Sequence, residues 1–155
     1  MEIEMTVELL VPDTTAITTF HTLERMGFSA LKKLKREDYY RFSAEGDFAR
    51  VSQDLGKVDI IVNANKHRYK AKRAGEAEED PKTVRVLVQD TDNRDGGLLG
   101  TLQERLGFKN IKTAERGVLW SLDFDVASKE AALKQATEAA EKLLSNRHYQ
   151  EFRII

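Results

Sequence analysis

Cysteine is the most informative absence in this chain of 155 residues, because the sequence contains none. Its absence excludes disulfide bonds, thiolate nucleophiles, zinc–thiolate sites and iron–sulfur clusters together. Proline is scarce, with two residues, and no apolar run approaches the roughly 20 residues that a membrane-spanning helix needs. The first residues do not resemble a secretory signal. We therefore expect a cytoplasmic protein without a membrane span.

An excess of charge of one sign is also missing. The chain has 25 basic and 26 acidic residues, which leave a net charge of −1. Without a basic field, the sequence predicts no general affinity for nucleic acid. Hydrophobic residues make up 41% and charged residues 33%, a globular composition rather than a disordered one. The length fits one ordinary domain or two small ones.

The sequence contains two similar halves. Thr6–Thr14 returns as Thr83–Thr91 at an offset of 77, and Glu24–Phe28 returns as Glu104–Phe108 at an offset of 80. Further matches in the same order are Lys32 with Lys112, Arg36 with Arg116, Tyr40 with Trp120, and Asn65-Lys66-His67 with Asn146-Arg147-His148. Because the order is kept and the offset changes only at loops, we infer an internal duplication. The first repeat is assigned to residues 1–73 and the second to residues 83–155.

The segment between the repeats, 74–82, has Gly near one end, Pro near the other, and four acidic residues. Such a composition is typical of an exposed linker.

The second repeat has the clearer pattern of strands and helices. The predicted elements are a strand at 83–89, a polar loop at 90–97, a helix that ends at Gly107, strands at 111–114 and 118–124 joined by a hairpin turn at Arg116-Gly117, a helix from Ser128 to about Ser145, and a final strand in 148–155. Ala132, Ala136, Ala139 and Leu143 form the apolar stripe of the second helix. This β-α-β-β-α-β order predicts an α/β (α+β) two-layer sandwich, with the helices on one face of a largely antiparallel sheet.

The first repeat follows the same order less clearly. Its second helix is expected to hold Phe48, Val51, Leu55 and Val58, with Gly56 inside it at a cost of about 1 kcal/mol relative to Ala. Its last strand, His67–Lys72, is polar and basic. One repeat of about 70 residues has a thin core, so the duplication is interpreted as a dimer made covalent.

Several motifs of the second repeat resemble the PurS family, the small subunit of phosphoribosylformylglycinamidine synthase. The motifs are a Val-rich strand with an Asp-containing loop that ends at Gly96, then Leu106-Gly107-Phe108, then Arg116-Gly117, and finally Ala140-Glu141-Lys142-Leu143-Leu144-Ser145-Asn146. The first repeat departs from the family, since Ala16 and Glu37 replace the loop and turn glycines. An ordinary member is a single unit of about 80 residues, so a tandem chain is atypical.

The resemblance implies a function in purine biosynthesis. PurS proteins are accessory subunits without known catalytic residues. They assemble with the synthetase subunit PurL and the glutaminase subunit PurQ in a glutamine-dependent ligase. The resemblance therefore implies a scaffold subunit with no cofactor and no catalytic site of its own, which self-associates as single-unit members do. The candidate interface residues are Gly96, Gly97, Arg116, Gly117 and Trp120.

Some residues also suggest other functions. A tandem ACT-like module that senses a small molecule would use Gly96 and Gly97 at its effector site. A calcium loop at Asp90–Gly97 lacks the Glu at its twelfth position, where Thr101 stands. An RNA-binding strand at Arg116–Trp120 has only one of the aromatic residues required. No metal site is expected at His21, His67 or His148, since none has a second ligand at suitable spacing.

Overall fold

A computed structural model describes residues 1–76 and 82–155, and these residues form six strands and four helices. The strands are β1 (Glu2–Leu9), β2 (Leu31–Ala44), β3 (His67–Arg73), β4 (Thr83–Asp90), β5 (Ile111–Phe124) and β6 (Gln150–Ile154). The helices are α1 (Thr14–Arg25), α2 (Phe48–Leu55), α3 (Leu98–Gly100, continued by a π-helical turn at Thr101–Arg105) and α4 (Lys129–Ala139, continued by a π-helical turn at Ala140–Leu144). The expected α+β class with an antiparallel sheet is confirmed.

Two compact units make up the fold, and each takes segments from both predicted repeats. Unit 1 consists of Met1–Val11, Glu37–Ala77 and Asn93–Gly117. Unit 2 consists of Pro12–Arg36, Glu78–Asp92 and Val118–Ile155. The repeats at 1–73 and 83–155 remain a prediction about the sequence. Residues 77–81 of the predicted linker lie outside the described residues.

Unit 1 places helices α2 and α3 against a sheet in which the strand order is β3-β1-β2, followed by the first part of β5. Strand β1 alternates buried and less buried residues, because its even-numbered side chains point to the opposite face. Its buried side chains pack with residues of α2, the segment after α2, α3 and the start of β5. The buried core of unit 1 is Ile3, Met5, Val7, Phe42, Ala44, Val51, Leu55, Val58, Ile61, Val62, Leu98, Leu102 and Ile111.

Unit 2 places helices α1 and α4 against a sheet in which the first part of β2 is followed by β5-β4-β6. Ser128 is the N-cap of α4, as predicted, and accepts a bond from the Ala131 amide. Three small residues on α4, Ala132, Ala136 and Ala139, are fully buried, so the helix approaches the sheet closely. The strands contribute Val84, Val86, Val88, Trp120, Leu122 and Phe124 to this core, and α1 and its C-terminal loop contribute Ala16, Leu23 and Phe28.

The predicted hairpin at Arg116-Gly117 is wrong, because both residues lie inside the 14-residue strand β5. Gly117 is absent from the glycines with positive φ, and Val118, the next residue, pairs directly with Val88 of β4. The two apolar stretches that suggested two strands belong to different cores: Ile111 packs in unit 1 and Trp120 in unit 2. Each predicted repeat therefore has the order β-α-β-α-β.

Two details of the helices also differ from the sequence prediction. Leu143 is 37% exposed, whereas Leu144 is buried, because the π-helical turn at the end of α4 adds a residue to the repeat and moves the apolar stripe by one position. Gly56 is the C-cap of α2 rather than an interior residue, so Val58 follows the helix. No helix in residues 1–76 and 82–155 is long and apolar enough to cross a membrane.

Candidate functional site

The candidate site is the loop before α3 together with the Arg116 side chain, all within unit 1. Three residues of the loop have positive φ: Asn93 at 51°, Gly96 at 59° and Gly97 at 82°. The Gly96 amide donates to the Asn93 carbonyl at 3.0 Å, which closes a turn. Left-handed backbone is cheap for glycine and tolerated by asparagine, so the sequence Asn-Arg-Asp-Gly-Gly favours this turn.

Asp95 fixes the start of α3. One carboxylate oxygen accepts from the Gly97 amide and the other from the Leu99 amide, both at 3.1 Å. The N-cap residue itself is Gly97, so Asp95 binds two amides at the start of the helix from two residues before the N-cap. Because the carboxylate is engaged by backbone donors, the loop has little to offer a cation. No group of three or more His, Asp or Glu suited to a metal ion occurs among the residues that the structure describes.

Arg116 lies directly on this loop. Its amide donates to the Arg94 carbonyl at 3.0 Å, and its guanidinium rests against Gly96. A Cβ built on Gly96 would collide with the guanidinium nitrogens, so only glycine allows the approach. Gly96 and Arg116, which are 20 positions apart, are therefore brought into contact. Both residues are exposed, and together they form a fixed polar surface.

The corresponding contact in unit 2 uses an ion pair. Arg36, which corresponds to Arg116 in the predicted duplication, donates from Nε to one oxygen of Asp13 at 2.9 Å and from Nη2 to the other at 3.1 Å. Asp13 also accepts from the Thr15 and Ala16 amides, and so it caps α1. Two charge-assisted bonds in parallel fix the geometry well. In each predicted repeat, the arginine therefore holds the loop before the first helix, through a carboxylate in one case and through glycine in the other.

The other predicted site residues are placed differently. Gly97 lies in the same loop, but its amide donates to Asp95 and is not available to a partner. Gly117 lies in the middle of β5. Trp120 is 7% exposed and belongs to the core of unit 2, so it offers little surface to a partner.

Tyr40, also in unit 1, has a pKa that differs from its ordinary value. Burial raises the pKa of its phenol above the ordinary 10.0, and the Asp38 carboxylate raises it further, while the Arg116 guanidinium opposes both. The phenol therefore stays neutral at physiological pH. Its ring stacks on Phe42, with the centroids 6.1 Å apart.

A groove of about 580 Å³, which the sequence does not predict, lies in unit 1 between the C-terminal end of α2 and helix α3. Ile60 and Leu106 stand exposed in its wall, at 57% and 49%. Single exposed apolar residues cannot be recognised as a pair from sequence, because only the fold brings them together. The lining is Asp54, Lys57, Val58, Asp59, Ile60, Thr101, Arg105, Leu106 and Phe108.

The three histidines take structural positions. The Nδ1 atom of His67 accepts from the Asn63 amide at 3.0 Å, at the turn that leads into β3. The His148 amide donates to Asn146 before β6. His21 contacts Glu24 one turn along α1. His67 is therefore the first residue of β3, and His148 lies between the end of α4 and β6, at the helix-to-strand connections that the sequence predicts.

The comparison with protein families gives one match. The PurS family, described as phosphoribosylformylglycinamidine (FGAM) synthase, matches residues 98–155. The matched residues are fewer than half of the chain and span α3, β5, α4 and β6. The resemblance to PurS is confirmed over this range. No curated protein matches the chain.

Proposed function

We propose that the protein is a PurS-type accessory subunit of FGAM synthase in purine biosynthesis, with a PurL-like synthetase and a PurQ-like glutaminase as partners. The family match at 98–155 is the observation that carries the proposal. The matched segment contributes to both units. Its α3 and the start of β5 complete the core of unit 1, while α4 and β6 belong to unit 2. A PurS-type element is thus present in both compact units.

The tandem arrangement takes the place of a PurS dimer in this proposal. Helix α1 and the start of β2 lie in unit 2, while the rest of the first repeat that is described lies in unit 1. In the second repeat, α3 and the start of β5 lie in unit 1, while the rest lies in unit 2. Such reciprocal exchange is what two subunits show after swapping identical elements, and fusion of the two chains would preserve it.

The proposed role in the complex is to bind rather than to catalyse. The exposed surface of Gly96 and Arg116 is held by backbone bonds and by the Asp95 cap, so little conformational entropy is lost when a partner binds it. We therefore assign this loop as one contact for a partner subunit.

An ACT-like sensor receives less support. That function would need free backbone donors at Gly96 and Gly97 for an effector. The Gly96 amide donates to Asn93 and the Gly97 amide to Asp95, so neither is available without breaking the loop.

The test is complex formation with purified PurL-like and PurQ-like subunits from the same source, measured as mass by light scattering after gel filtration. We expect a complex that contains the tandem chain, and weaker assembly with Arg116→Glu. Arg36→Glu is not a clean control, because it breaks the Asp13 pair; Lys112→Glu, an exposed residue of β5, is suitable. Failure of the unmodified chain to join either subunit contradicts the proposal.

A further inference from the structure

Strand β3 and the residue before it carry an unusual concentration of positive charge. Residues 66–73 read Lys-His-Arg-Tyr-Lys-Ala-Lys-Arg, with five basic residues and no acidic one. The whole chain has a net charge of −1, so this charge is local.

The basic strand stands at an edge of the sheet in unit 1. Strand β3 is the first in the strand order, and its only partner among the described residues is β1, which pairs with all seven of its residues. On the other side of β3, the backbone N–H and C=O groups have no strand partner among the described residues. Such an edge is a template for a further strand.

Neighbouring acids neutralise part of this charge but not all of it. Arg68 forms an ion pair with Glu8 of β1, and Lys72 stands opposite Glu4 in the register. Lys66 and Lys70 are exposed, and their side-chain amines form no hydrogen bond or ion pair with the described residues. A net positive surface therefore remains along the free edge.

Strand β6, the repeat equivalent of β3, shows that the charge is not a requirement of the fold. At an offset of 81, Lys70 corresponds to Glu151 and Arg73 to Ile154, and β6 contains one acidic and one basic residue. It stands at the edge of the sheet in unit 2, as β3 does in unit 1. The two edges thus have the same position in their units and a different charge.

We propose that the free edge of β3 binds an extended acidic segment of a partner protein as an added antiparallel or parallel strand. Backbone hydrogen bonds to the edge would supply affinity, and the basic side chains would select for acidic residues. The same charges repel a second β3 edge, so two copies of this chain are not expected to pair through β3.

The test is titration of the full chain with a fluorescent seven-residue peptide of alternating Glu and Thr, which matches the length of β3. We expect saturable binding that weakens as salt rises. We also expect Lys70→Glu to weaken it by about tenfold, which is about 1.4 kcal/mol. Lys66→Glu is expected to weaken binding as well, while its matched control in the other repeat, Arg147→Glu, leaves it unchanged. Thermal melts establish that the variants are folded.

A second peptide separates strand addition from simple charge attraction. N-methylation of alternate amides keeps the charge of the peptide and removes the donors that an added strand needs. Loss of binding on methylation is expected. Equal binding of the methylated peptide, no binding up to about 1 mM, or tighter binding of a single-stranded oligonucleotide than of the acidic peptide overturns the proposal.

Discussion

At the residue scale, Gly96 meets two independent constraints. Its φ of 59° is strained for any side chain, and the Arg116 guanidinium fills the space of a Cβ. We predict that Gly96→Ala lowers the free energy of unfolding by about 1–3 kcal/mol, measured by urea denaturation. Gly100→Ala is the matched control, because Gly100 has helical dihedrals and nothing within 4 Å of a built Cβ. It is expected to leave the protein as stable or about 0.5–1 kcal/mol more stable.

The double variant Gly96→Ala with Arg116→Ala separates the cost of the collision with the guanidinium from the cost of the backbone strain. Removing the guanidinium relieves the collision but not the backbone strain, so part of the loss is expected to return. An unchanged free energy of unfolding for Gly96→Ala would contradict the left-handed φ of 59° at this residue.

The Tyr40 side chain is expected to make the stability of the folded protein depend on pH. Because its pKa is raised in the folded protein, its contribution to stability is complete below the ordinary pKa of 10.0 and declines as pH rises toward the folded pKa. We predict that the unmodified protein loses more stability between about pH 9 and pH 11 than Tyr40→Phe does, measured by chemical denaturation. Tyr149→Phe, which removes a phenol on a residue that is 57% exposed, is the control. Parallel curves for the unmodified protein and Tyr40→Phe would contradict the assigned burial of the phenol.

At the element scale, the end of α4 tests the π-helical turn. The sequence periodicity predicts that Leu143 is buried, but in the structure Leu144 is buried and Leu143 is 37% exposed. We predict that Leu144→Ala costs about 2–5 kcal/mol of unfolding free energy, whereas Leu143→Ala costs about 0.5 kcal/mol or less. The reverse ranking in urea denaturation would show that α4 continues as a regular α-helix.

The long strand shows what periodicity can and cannot predict. Alternation over 118–124 correctly predicted that Trp120, Leu122 and Phe124 share one core, but Leu119, which it placed on the opposite face, is fully buried as well. A glycine after a charged residue resembled a turn, yet Gly117 continues the strand. A sequence pattern indicates which face of a strand is apolar, but it does not indicate which core that face packs in. The two ends of β5 belong to different units.

For the candidate site, the sequence predicted some of the residues but not all of their partners. The resemblance to PurS directed attention to Gly96 and Arg116, and in the structure the two residues are in contact. The sequence could not indicate Asp13 as the partner of Arg36, because the partner residues differ between the repeats: a carboxylate in one and a glycine in the other.

At the scale of the whole molecule, neither predicted repeat contains a complete core. The second repeat alone lacks Leu23, Phe28 and Leu31, which pack in the core of unit 2. Its Leu98 and Leu102 would also lose the β1 residues that share their core in unit 1. We predict that a fragment of residues 83–155 either dimerises or is unfolded, measured by light scattering and thermal denaturation. A monomeric fragment that unfolds cooperatively at the temperature of the full chain would show that the repeat is self-sufficient.

The central claim is that this chain acts as a PurS-type subunit in the form of a covalent dimer. It is tested most directly by the amidination rate of PurL-like and PurQ-like subunits from the same source, with glutamine and separately with ammonia, in the presence and absence of the chain. Ammonia needs no transfer between subunits, so the account predicts that the glutamine-dependent rate requires the chain far more than the ammonia-dependent rate does. An unchanged glutamine-dependent rate, with a single-unit PurS protein from the same source restoring it, would contradict the account.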